Sequence, residues 1–176
     1  MKNRIWMYTV LLLLFGCSFN LGDKWQKLSF PKFGFSVEMP GVARHFILSS
    51  QGYKGSEGYE EWIVTEENSG NQYLVLVQEL QDKTYNNRSD SWLLDNASRP
   101  DVGFLSNAEE LSNNREYEGS LIFDEQYWDL KKGRKAVTRT CIINGRLVQL
   151  IFIYKPNEQM ELSGRRFLES LQLAQE

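Results

Sequence analysis

From Phe33 to Met39 the chain alternates: Phe33, Phe35, Val37 and Met39 are apolar, with Gly34, Ser36 and Glu38 between them. A period of two is the mark of a half-buried strand, and Pro40-Gly41 ends it with a turn. Arg44 to Leu48, Tyr59 to Thr65 and Gln72 to Glu79 are read as three more strands. A glycine-rich loop (Gly52, Gly55, Gly58) and Asn68-Ser69-Gly70-Asn71 connect them. Four consecutive strands with short connections predict an antiparallel meander.

The pattern then changes period. Ser89 or Asp90 can cap a helix beginning near Ser91, with Trp92, Leu93 and Ala97 inward and Pro100 ending it. Phe104 and Leu105 return the chain to the core, and strands resume at Glu109 to Glu118 and Leu121 to Leu130. The strongest local signal comes later. Lys135 to Ile143 and Arg146 to Tyr154 flank Asn144-Gly145, and Asn-Gly supplies the two positive φ angles of a type I′ hairpin turn. That register sets Ile142 against Leu147, Cys141 against Val148 and Thr140 against Gln149. Leu147 to Ile153 is apolar on both pleat faces except at Gln149, so this strand should be central and covered on both sides. After Pro156, Glu161 to Leu173 reads as a terminal helix with Leu162, Phe167, Leu168 and Leu171 spaced for one face.

The first 24 residues follow another logic. Lys2 and Arg4 precede an apolar run from Ile5 to Phe15. This is a signal-peptide layout, and the run is short of the roughly 20 residues a spanning helix needs. It closes on Leu14-Phe15-Gly16-Cys17, which resembles the bacterial lipobox, with Phe15 departing from its usual −2 residue. The resemblance implies cleavage before Cys17 and lipid on its thiol. The expected divisions are therefore 1–16 as lipoprotein signal peptide, 17–24 as lipidated tether and 25–176 as one domain. One acyl chain holds weakly, and two or three hold durably. The stretch Ser18 to Asp23 reaches only about 20 Å, so the domain works close to its membrane. Ser18 at the second position fits the periplasmic face of an outer membrane. Lipid on Cys17 also leaves Cys141, the one other cysteine, unpaired within a strand.

Charge narrows the partners. The chain has 20 basic and 23 acidic residues, and loss of Lys2 and Arg4 takes the mature form to about −5. Nucleic-acid binders carry a basic excess, so no nucleic-acid partner is expected. Aromatic residues make up 13% of the chain, which points to a packed domain rather than a disordered one.

Chemistry-bearing residues are sparse. His45 is the one histidine, and no G-x-S-x-G elbow accompanies it, so it reads as structural or solvent-facing. No phosphate-binding glycine loop occurs. One histidine and one mature-domain cysteine do not make a zinc site of ordinary type, and no cofactor is expected. The pairs Glu60-Glu61, Glu66-Glu67, Glu109-Glu110 and Asp124-Glu125, with Asp129, read as solvated faces. Lys131-Lys132-Gly133-Arg134-Lys135 is the one dense basic run. It is most simply a solvated hairpin loop. Lys131, Lys132, Arg134 and Lys135, with the nearby Trp128, are also the candidate contact for a partner or for anionic headgroups, at about 1 kcal/mol per basic residue.

The strand "FGFSVEMP", the hairpin "CIINGRLVQLIFIY" and the helix "RRFLESLQL" together resemble bacterial PsbP-like domains, with DcrB-type envelope lipoproteins among their relatives. The resemblance implies a single α+β domain, a twisted antiparallel sheet flanked by helices as an α/β/α sandwich. It also implies an accessory or binding role at the envelope with a protein partner, and matches no functional residue. Two other classes stay open. One is a carrier of a small apolar ligand, marked by an apolar cavity between sheet and helix. The other is a carboxylate-based envelope hydrolase, marked by two carboxylates sharing a cleft.

Overall fold

A computed structural model describes residues 25–48, 58–80, 87–96, 108–130, 133–156 and 158–174. These form one α+β domain with the elements β1 (Trp25–Phe30), β2 (Phe35–Pro40), β3 (Arg44–Leu48), β4 (Tyr59–Thr65), β5 (Gln72–Glu79) and α1 (Asp90–Asn96). Then come β6 (Glu109–Glu118), β7 (Leu121–Leu130), β8 (Arg134–Ile143), β9 (Arg146–Tyr154), α2 (Glu158–Glu169) and β10 (Gln172–Leu173). Seven strands make an antiparallel sheet in the order β3-β4-β5-β9-β8-β7-β6, and β1-β2-β10 make a smaller one.

The Asn-Gly signal carries through. Asn144 and Gly145 have φ of 51° and 72°, and Ile142 pairs with Leu147, Cys141 with Val148 and Thr140 with Gln149. β9 lies fourth of seven, and every residue from Leu147 to Tyr154 is buried. Its two faces meet different layers. Val148, Leu150 and Phe152 join Tyr73, Val75, Phe35 and Phe167 in the main core. This α2 face is covered by the small sheet and α2. Leu147 and Ile142 pack under Leu93 and Leu94 of α1 on the other side, the α1 face. Helices on both sides of one sheet make the expected α/β/α sandwich.

Gly164 sets how closely α2 approaches. A Cβ there would lie 2.2 Å from the Phe152 ring, so any larger residue would push the helix off the sheet. Helix α1 begins as expected, with the Ser89 hydroxyl accepting a hydrogen bond from the Trp92 amide at 3.3 Å, the N-cap geometry. Ala97, Pro100, Phe104 and Leu105 lie outside the described residues.

Three expectations change. The predicted four-strand meander is broken, because β2 pairs with β1 and β10 instead of β3. Gly41, at φ 90°, releases the chain from the small sheet into the large one. Strand β1 was not anticipated, since an edge strand exposed at Gln26, Lys27 and Ser29 carries little alternation. The terminal helix runs Glu158–Glu169 rather than Glu161 to Leu173. The Ser170 hydroxyl donates to the Phe167 carbonyl at 2.7 Å and accepts from the Glu38 amide at 2.8 Å. The helix stops there, and Gln172 and Leu173 pair with β2.

Candidate functional site

Strands β6 and β7 extend past the edge of α2, leaving a groove of about 560 Å³ between that helix and β6–β8. Alternation builds it. The inward phase of β8 and β9 gives an apolar floor of Val137, Phe152 and Tyr154, closed by Leu168 from α2. The same phase of β6 and β7 supplies Glu116, Glu125 and Tyr127, and α2 adds Arg165 and Glu169. An apolar floor with a few polar groups around it is the usual form of a binding site.

Arg139 anchors the inner wall. It is 6% exposed and its guanidinium lies 3.9 Å from the centre of the Phe123 ring. It donates to the Leu168 carbonyl at 3.2 Å and to Glu118 at 2.9 Å. A cation at the last turn of a helix is favourable for the exposed carbonyls there, so Arg139 fixes the end of α2 against β8. The Tyr127 hydroxyl donates to Glu125. Burial first, then that hydrogen bond, pushes its pKa up to about 12. Tyr127 thus stays protonated near neutral pH and serves as a donor, not a base.

Of the four charged residues in the basic run, Arg134 and Lys135 are described. Lys131 and Lys132 lie outside the described residues, as does Cys17. Arg134 donates to the Gly70 carbonyl at 2.8 Å and so ties the start of β8 to the β4–β5 turn. Lys135 lines the groove on the α2 face. Trp128 pairs with Ala136, and its side chain packs on the opposite face against the cluster of Leu74, Leu76, Ile151 and Ile153. Successive residues along a strand point to opposite faces, so Trp128, paired with Ala136, and Lys135 project from opposite faces of the sheet, although both border the groove.

His45 stacks on Trp62 at 4.5 Å between ring centres, and its Nε2 lies 3.1 Å from Glu60. Cys141 is buried and free, and burial pushes its thiol up to about 12, which makes it inert. Among the described residues no three His, Cys, Asp or Glu side chains gather to hold a metal.

Two carboxylates expected on solvated faces are built into the structure instead. Asp124 is 3% exposed and accepts from Arg115 at 2.7 and 3.1 Å. Arg115 also reaches Asp95 at 2.7 Å and Ser91 at 3.2 Å on α1. Glu66 accepts from Ser69, Asn71 and the Tyr73 hydroxyl, which shapes the β4–β5 turn. Arg115 was not singled out by sequence reading. The signal was present: a two-residue turn at Gly119-Ser120 sets Arg115 opposite Asp124, as observed.

No family model and no curated protein matches the chain. Among solved structures, it is similar to the solution structure of cyanobacterial PsbP (CyanoP) from Synechocystis sp. PCC 6803. The TM-score is 0.58 over 86% of this chain and 93% of that one, at 12% identity. The fold is PsbP-like. Shared core positions at so low an identity carry the architecture and no side-chain chemistry. The groove's polar residues are therefore argued from this chain alone.

Proposed function

We propose that this chain is a lipid-anchored bacterial envelope protein of the DcrB-type kind, which acts without catalysis by binding a protein partner. Cys17 is its acylated residue, and the periplasmic face of the outer membrane its place. The observation that carries the binding reading is the groove beside α2. Its floor is apolar and fixed, and each rim carboxylate already has a partner. Glu125 accepts from Tyr127, Glu116 lies 3.9 Å from Arg139, and Glu169 lies 3.9 Å from Arg165. Such paired charges set register and specificity for a docked segment more than they move protons. The Leu14 to Cys17 motif supports the envelope setting.

The carboxylate hydrolase is the second reading, favoured by Glu116 and Glu125 lining one groove. Substitution separates the two. If the groove binds, Lys135→Glu and Leu111→Arg, both at positions lining it, reproduce the phenotype that deleting the chain produces, at unchanged melting temperature. Glu116→Gln and Glu125→Gln then keep most of the function. If either Gln change removes function while stability and partner capture persist, the protein is a hydrolase.

A further inference from the structure

The register shows where the N-terminal segment leaves the domain. Trp25 opens β1 opposite Pro40, the last residue of β2. Its ring meets Tyr73 edge-on at 5.8 Å. Tyr73 pairs with Val64 and Phe152, and Phe152 with Val137. Trp25 therefore lies at the end of the large sheet where β5 and β8 begin and β4 and β9 finish. The β4–β5 turn, Arg134 and Lys155 share that end. The Asn144-Gly145 and Gly119-Ser120 turns lie at the other.

We propose that this near end of the sheet docks on the headgroup surface of the bilayer. The inference rests on the lipid anchor at Cys17. Cys17 and Trp25 are eight residues apart, a span of at most about 28 Å. A nine-residue strand such as β9 is about 30 Å long, so the anchor is no longer than the sheet is tall. Bringing the far end to the membrane would need the tether nearly straight and normal to the bilayer, which costs it almost all its conformations. The near end meets the bilayer with the tether slack. Its surface suits headgroups. Val42 is 82% exposed there. Among the described residues, Arg134, Lys135 and Lys155 stand there with Glu67, Asp129 and Glu109. The tether sets the orientation.

The test uses the full-length protein purified from membranes and reconstituted into phosphatidylethanolamine–phosphatidylglycerol vesicles. Single fluorescent labels are placed by Val42→Cys and Lys155→Cys at the near end, and by Tyr117→Cys and Ser120→Cys at the far end. Headgroup-attached quenchers are expected to remove most of the near-end fluorescence and almost none of the far-end fluorescence. The N-terminal peptide is weighed in the same preparation. An acylated Cys17 with equal quenching at both ends overturns the orientation alone. An unmodified Cys17 overturns the anchor and the orientation together.

Discussion

Over its central strands β5, β9 and β8 the seven-stranded sheet is buried on both faces, and by different means. On the α2 face, Tyr73, Val75, Val148, Leu150 and Phe152 interlock with Phe35 and Phe167 in one apolar cluster. On the α1 face the register brings Asp124, Thr140 and Gln149 into one row and Gln126 and Thr138 into the next. All five are buried. Gln149 donates to Thr140 at 3.1 Å, but Gln126 Oε1, Thr138 Oγ1 and Gln149 Oε1 lack partners among the described residues. Buried polar atoms without partners each cost about 1–3 kcal/mol. One face gains stability by filling volume. The other combines smaller apolar clusters with a polar row that costs stability and is held in register by directed bonds, chiefly the Arg115 cluster that clamps α1.

That contrast can be broken from either side. The largest loss is expected for Phe152→Ala on the α2 face, about 4 kcal/mol from lost transfer energy and the cavity left beside Gly164. Denaturant melts check it; a loss under 1 kcal/mol would show that α2 settles onto the sheet without the ring. On the α1 face Asp124→Ala should cost about 2 kcal/mol, because Arg115 loses its buried, bidentate partner and keeps only Asp95 and Ser91. Chemical unfolding of the single and double variants of Asp124 and Arg115 measures their coupling. Additive losses would mean that the pair does not act as a unit.

The remaining expectations are gains. Thr138 is fully buried, so Thr138→Val replaces an unpartnered hydroxyl by a methyl of the same shape and should stabilise by about 1 kcal/mol. A destabilised variant would show that bound water completes the hydroxyl. Glu61, also on the α1 face, pairs with Phe46 and Leu76. Burial raises its pKa above the ordinary 4.5. The folded state therefore holds that proton more tightly than the unfolded chain, and ionised Glu61 costs stability above the raised pKa. Glu61→Gln should be slightly more stable at pH 7, with the gain vanishing as the pH falls below 4.5. Melting curves across that range decide it; a gain that persists in acid would point to packing instead of charge.

The same contrast explains what sequence could tell. The α2 face and the β8–β9 hairpin were legible, because apolar alternation and an Asn-Gly turn each act over a few residues. Strand β2 reads as a strand, yet its neighbour β1 carries too little alternation to be read as its main partner, and its other partner β10 lies more than 130 residues away. The α1 face was misread at Asp124-Glu125. The pair looks solvated, but alternation sends Asp124 inward and leaves Glu125 on the groove. The groove itself was not legible. It depends on how far β6 and β7 project beyond α2, which only packing decides.

The central claim is a binding protein held at its membrane through Cys17, and mass spectrometry of the N-terminal peptide from isolated membranes tests it most directly. The account predicts a chain that begins at Cys17 with its thiol diacylglyceryl-modified, and a Cys17→Ala variant that stays unprocessed. A mature protein retaining Met1 to Gly16, or carrying an unmodified Cys17, would contradict it.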